Sequence, residues 1–318
     1  MLLLPPRHFD TLLMGDDPMT KLPDLARRKK LTPYLLLLPA MVMVIVVIGY
    51  PLLYSVKLSM MNYNLMRPKD IYFAGFQNFI RMFQDPNIPK VMLNSLVWVV
   101  VVVGMQFLIG LGLALLLNTK FRFKGIYQSI VFLPWAVSSY LIGLVFRFIF
   151  SERNGVLNYV LENLGLIDGP MSWLGTTATS MVGPIVAMIW YGIPFFGIML
   201  LAALQSIPND VIESARIDGA GSVRIFFNIT MPYIKPTVLT TLLLRVIWVF
   251  NSSDVLYVMT GGGPAYSSST LPLYVYNQAF SSLDFGYGSA VGLIIMLMLT
   301  LYAIVFIKAT QYNKAGDF

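Results

Sequence analysis

Asn209-Asp210-Val211-Ile212-Glu213-Ser214-Ala215-Arg216-Ile217-Asp218-Gly219-Ala220-Gly221-Ser222-Val223-Arg224-Ile225-Phe226-Phe227-Asn228-Ile229-Thr230-Met231-Pro232-Tyr233-Ile234-Lys235-Pro236 is a polar island between two long apolar runs. Pro208, followed by Asn209 and Asp210, supplies an N-cap. Glu213 adds negative charge near the helix start, where free backbone N–H groups favour it. A short helix is predicted from Asp210 to Asp218. Gly219 and Gly221 stop it, since glycine takes the left-handed geometry of a helix end at little cost. Ser222 then caps a second short helix with Val223, Phe226, Phe227 and Ile229 on its apolar side, ended before Pro232. Such an island is where a membrane chain meets water.

Composition supports a membrane chain. Of 318 residues 57% are hydrophobic and 12% charged, against about 25% charged in soluble domains. There is no cysteine, which excludes disulfides and thiol chemistry. The one histidine, His8, lies in the N-terminal tail, so the body holds neither a His-based zinc site nor a His acid–base centre. The net charge of +7 does not point to nucleic acid, because the basic residues flank apolar runs and form no patch interleaved with aromatics. Gly-Lys-Ser and Gly-Lys-Thr are absent, so the chain has no phosphate-cradling loop, and Gly261 to Gly263 read as a turn. No solenoid-type or clear inverted repeat is apparent.

About 20 apolar residues cross a bilayer. Six spans are predicted, at about Pro33 to Ser59, Val91 to Asn118, Ile126 to Phe150, Ser180 to Leu204, Thr237 to Met259 and Tyr287 to Ala309. Gly110 and Ala114 in the second, and Gly288 and Gly292 in the sixth, form small-residue faces for close helix approach. Residues 1–32 read as an N-terminal tail, 33–309 as the six-helix domain and 310–318 as a C-terminal tail. With an even number of spans the termini share a side, and that side holds 14 of the 22 lysines and arginines. Positive loops stay inside. Both tails, Lys120, Arg122, Lys124 and the 209–236 loop are therefore expected in the cytoplasm of a bacterial cell, with the chain multi-pass in the inner membrane.

The quoted stretch resembles the EAA loop of binding-protein-dependent ATP-binding-cassette importers, whose pattern is E-A-A, three residues, G, and later I-x-L-P. It stands here as Glu213-Ser214-Ala215, Asp218-Gly219-Ala220, Ile229-Thr230-Met231-Pro232, with serine for the first alanine and methionine for the leucine. Gly75-Phe76-Gln77-Asn78-Phe79 resembles the G-x-x-N-F segment of sugar-importer permeases. Gly261-Gly262-Gly263-Pro264, Thr270-Leu271, Tyr274, Tyr276 and Ala279-Phe280 also look similar to theirs. The resemblance implies an all-α membrane protein of six transmembrane helices with the MetI/MalF-like type I importer permease fold, lacking the large outer domain of some maltose-type relatives. It implies a non-catalytic subunit of a sugar or oligosaccharide importer. Its partners would be a second homologous permease, two ATPase subunits that bind the ATP and magnesium, and an extracytoplasmic solute-binding protein. Glu213, Ser214, Ala215, Asp218, Gly219 and Ala220 would dock on an ATPase, with Ile212, Ala215 and Ile217 as the apolar surface and Arg216 among the rim charges.

Polar groups at membrane depth face protein interiors or water-filled cavities. Trp248, Asn251 and Asp254 recur every three residues in the fifth span, followed by Tyr257, and with Arg245 they are the expected substrate path. Amide, carboxylate and aromatic groups together suit a sugar. The alternative is that Asn251 and Asp254 bond only to neighbouring helices. Arg147 and Arg245 either snorkel and pair locally or create a positive potential for an anionic sugar. An ion-coupled secondary transporter is the alternative function, with Asp254 its obvious titratable group; an integral membrane enzyme is disfavoured by the lack of an intramembrane histidine, cysteine or carboxylate cluster.

Overall fold

A computed structural model describes residues 22–119 and 122–310, with side chains from residue 33. The tails at 1–21 and 311–318, with His8, and Lys120 lie outside the described residues. The chain forms two units, the first ending at Ser55 and the second starting at Val56. The first holds α1 (Leu22–Val44), a π-turn (Ile45–Gly49) and the start of α2 (Tyr50–Ser59). The apolar span that starts in it ends at Ser59, as expected, but the helix begins at Leu22, inside the predicted tail.

In the second unit β1 (Met61–Asn62) and β2 (Tyr72–Phe73) make a minimal antiparallel ribbon, followed by α3 (Gln77–Gln84). The long α4 (Ile88–Asn118) comes next, then α5 (Lys124–Phe132), α6 (Ser139–Ile149), α7 (Val156–Asn163) and α8 (Val182–Gln205). The quoted stretch forms α9 (Asn209–Ile217) and α10 (Ser222–Ile225), and leads into α11 (Met231–Asn251) and α12 (Asp254–Thr260). The last helices are α13 (Leu271–Tyr276) and α14 (Phe285–Ala309). Among the described residues five helical stretches are long and apolar enough to cross a membrane, and the bent pair of α5 with α6 brings the count to six.

Two expected spans are broken. The third is not one helix from Ile126 to Phe150: Lys124–Ala136 meets Ser139–Ile149 at 94°. Pro134, which has no N–H to donate, lies in a 3-10 turn at Leu133–Ala136, and the backbone turns extended at Val137 and Ser138. The fifth is interrupted at Ser252 and Ser253. There the Val249 carbonyl, which loses its helical partner, accepts from Ser252 N–H at 3.2 Å and from the buried Trp98 indole at 2.9 Å.

The core is a seam of α4, α8 and α11 with α6 and α12 against it. Gly110 permits the α4–α8 approach, since a methyl there would lie 2.5 Å from Phe196 Cβ, and Ala114 is fully buried. Gly288 faces Ala279 and Gly292 faces Val275, so the second small-residue face packs on the segment around α13. Three connecting segments converge at one end. Leu65 N–H donates to Leu283 O at 3.0 Å, Arg81 pairs with Asp284 at 2.7 Å, Lys90 donates to Ala265 O at 2.8 Å, and the Ser180 and Ser267 hydroxyls meet at 2.7 Å. Asn78 is 5% exposed and donates to the Ser59 and Met61 carbonyls, which is the local use of the asparagine in G-x-x-N-F.

Candidate functional site

The structure builds the 209–236 loop as a helical hairpin. Pro208 sits at the N-cap of α9 with no side-chain cap bond, and Asp210 instead accepts from Val211 N–H at 3.1 Å. Gly219 has φ +79°, and Ala220 N–H reaches back to Ala215 O at 2.9 Å, the long bond of a Schellman helix end. That bond fixes the spacing of Ala215, Gly219 and Ala220. Gly221 departs from expectation: with φ −71° it is extended and is itself the N-cap of α10. The second helix also does not end before Pro232. It widens into a π-turn, Phe226–Thr230, and continues into α11. Pro232 would clash with the carbonyl of Asn228 in a regular helix, and the wider turn accommodates it.

Glu213, Ser214, Asp218 and Gly219 are exposed, while Ala215 and Ala220 are half-buried. Ile217 is 86% exposed at the tip, with Val223 at 72% and Phe227 at 64%; Ile212 is half-buried. Among the described residues the ion pair is Arg81 with Asp284, so Glu213, Arg216 and Asp218 carry no ionic partner there. The hairpin thus shows an apolar tip with unpaired charges beside it.

The break at Ser252 divides the expected path residues between two helices. Trp248 and Asn251 stand on α11, Asp254 and Tyr257 on α12, and all four are exposed. Trp248 meets Phe195 edge-on at 5.5 Å, Asn251 donates to Ile247 O at 2.9 Å, and Ser139 donates to the Asp254 carboxylate at 2.8 Å. Tyr257 packs on Tyr276 at 4.9 Å.

Arg245 does not join them. It is 3% exposed, donates from Nε to Gln106 Oε1 at 2.7 Å, and lies 5.3 Å over the Phe195 ring. Gln106 in turn donates to Met188 O at 2.5 Å. Gly192 makes the room, since a methyl there would lie 2.0 Å from both Arg245 Nη2 and Gln106 Nε2. Among the described residues Arg245 Nη2 has no hydrogen-bond partner. Sequence reading missed Gln106, although a lone amide within the apolar run of α4 is the signal that finds such residues. It also missed Tyr140, and it named Tyr276 only for its likeness to the family; the fold brings both near Tyr257.

The sequence profile of the family described as binding-protein-dependent transport system inner membrane component matches residues 106–310. The chain belongs to that family. Among relatives, the permease is 34% identical over 279 residues to the sulfoquinovosyl glycerol transport system permease protein SmoG of Agrobacterium fabrum, covering 88% of this chain and 90% of the relative. It is 30% identical over 281 residues to the trehalose/maltose transport system permease protein MalF of Thermococcus litoralis, covering 88% and 94%. In fold, the permease matches a chain of a bacterial ABC transporter involved in the import of the acidic polysaccharide alginate. The TM-score is 0.77 at 22% identity, over 93% of this chain and 99% of that one. The architecture is therefore that of an importer permease.

Proposed function

We propose that this chain is the membrane-spanning, non-catalytic permease subunit of an ATP-driven importer for a sugar or oligosaccharide, coupled through the 209–236 hairpin to cytosolic ATPase subunits. The observation that carries the reading is the hairpin tip: Ile217, 86% exposed, next to Glu213, Arg216 and Asp218, which form no ion pair among the described residues. A rigid apolar knob with charges at its rim is what a protein cleft recognises, the apolar part giving affinity and the charges orientation. The sugar class rests on relatives named for glycoside transport and on the exposed Trp248, Asn251, Asp254 and Tyr257. A second homologous permease would close the path on that face, and a solute-binding protein would deliver the sugar. ATP and magnesium belong to the ATPase partners, and both termini lie in the cytoplasm.

Gly219→Pro tests the hairpin. Proline holds φ near −65° where this backbone stands at +79°. Substrate-stimulated ATP hydrolysis by the assembled complex is expected to be lost while membrane insertion persists. Normal stimulation in that variant refutes the docking role, and uptake insensitive to vanadate would favour ion-coupled transport.

A further inference from the structure

Arg147 is one of two intramembrane cations that the sequence leaves open, and the structure separates it from Arg245. It is exposed on α6, next to two cavities of about 410 and 570 Å³ that share Arg147, Leu144 and Met259. Both fall in the range of small-ligand sites. The smaller is lined by Tyr140, Tyr257, Thr260 and Gly261, and so shares Tyr257 with the expected substrate path. The larger adds Ser151, Ser172 and Trp173.

Arg147 donates from Nη1 to Val258 O at 3.0 Å. That bond holds the guanidinium against α12 while Nε and Nη2 make no bond among the described residues. No carboxylate among them neutralises it. Glu152 lines the larger cavity with Arg147 but forms no ion pair with it. Asp254 accepts from Ser139 and forms no ion pair with Arg147 among the described residues. A guanidinium held at one nitrogen among tyrosines has two free nitrogens suited to a carboxylate or sulfonate, and aromatic faces suited to a sugar ring.

We propose that Arg147, with Tyr140 and Tyr257, forms a subsite that selects sugars carrying an anionic group. This rests on the carbohydrate reading above and deepens it. A lipid phosphate offers the same oxyanion chemistry, so the experiment separates the two sources.

The complete importer, with its partner permease, ATPase subunits and solute-binding protein, is reconstituted in proteoliposomes and assayed for uptake of cellobiose and of its uronate, cellobiouronic acid. In Arg147→Gln, uronate uptake is expected to fall at least about tenfold while cellobiose uptake stays within about twofold, one charge-assisted hydrogen bond corresponding to a factor of that size. Arg147→Lys is expected to recover most of the uronate uptake. Equal loss for both sugars, or no loss, overturns the proposal and leaves Arg147 as a structural link to Val258. A wild-type importer that takes up cellobiose but no uronate overturns it as well. If the solute-binding protein captures another sugar, that sugar and its uronate replace this pair; a wild-type importer that takes up no sugar its binding protein captures overturns the carbohydrate reading. The assay is repeated in vesicles of phosphatidylcholine with and without phosphatidylglycerol. If the Arg147→Gln defect appears only with the anionic lipid, the guanidinium serves a headgroup and the subsite is refuted.

Discussion

Arg245, Gln106 and Gly192 form a three-residue unit in which the amide meets the guanidinium and the absent side chain of the glycine leaves room for both. A cation taken out of water is costly unless its donors are satisfied, and here one nitrogen is met by an amide and another by nothing among the described residues. Gln106→Leu strands the guanidinium and is expected to destabilise by about 3–5 kcal/mol, whereas Arg245→Met removes the charge and costs about 1–3 kcal/mol. The double variant is expected to be less damaged than Gln106→Leu alone; thermal unfolding in detergent as a double-mutant cycle measures the coupling. A second cluster sits where the connecting segments converge. Asp85 accepts from the hydroxyls of Tyr274 at 2.5 Å and Tyr287 at 2.7 Å. Burial pushes the Asp85 pKa up, but hydrogen bonds from Tyr274, Tyr287 and Asn87 outweigh it and leave it below the usual carboxylate value. Burial and then the bond to Asp85 push the Tyr274 hydroxyl up. A depressed folded pKa gives stability that is complete above the unfolded value near 4 and is lost as pH falls through the folded value. Unfolding midpoints are expected to drop below about pH 4 in the wild type, and Asp85→Asn is expected to flatten that drop. At this scale the sequence showed which residues were unusual, Arg245 and Arg147 among them, but not their partners. Gln106 lies 139 positions from Arg245, and no local pattern links them.

Among elements, apolar runs and glycines were readable because each acts within its own turn or span. The first apolar span ends at Ser59, as expected, and Gly219 ends α9 through a bond five residues long. The breaks were not readable. Pro134 in span three and Pro232 after the hairpin look alike in sequence, yet one goes with a 94° bend and the other with a π-turn that keeps the helix running. The two differ on the C-terminal side of the proline, where Val137-Ser138 is extended in the first case and the helix is continuous in the second. Another π-turn, Ile45–Gly49, also stands just ahead of a proline, Pro51. Pro232→Ala restores the missing N–H and removes the need for the wide turn. A return to regular helix would rotate the hairpin by about 100° relative to α11, one residue's worth of twist. Coupled ATP hydrolysis is expected to fall while the stability of α11 is kept, and cross-linking from position 217 to the ATPase is expected to change partners.

For the whole molecule, the lack of any cysteine leaves a clean background for labelling. Ile217→Cys is expected to react with a membrane-impermeant maleimide only after permeabilisation, and Ala265→Cys without it. The reverse pattern would invert the topology read from lysine and arginine. The number of spans and their likeness to an importer permease were legible because hydrophobicity and loop charge are sums over many residues. The convergence of the segments at 60–87, 150–181 and 261–284 was not, because contacts such as Ser180 to Ser267 depend on how the spans assemble. Between its two ends the molecule holds one unbroken helical stretch from Ser222 to Asn251, about 45 Å at 1.5 Å per residue. Under the coupling proposed above, such a rod would act as a crank: twist applied at Ser222 would be carried towards Trp248 and Asn251, and the non-helical joint at Ser252 and Ser253 would relieve it beyond.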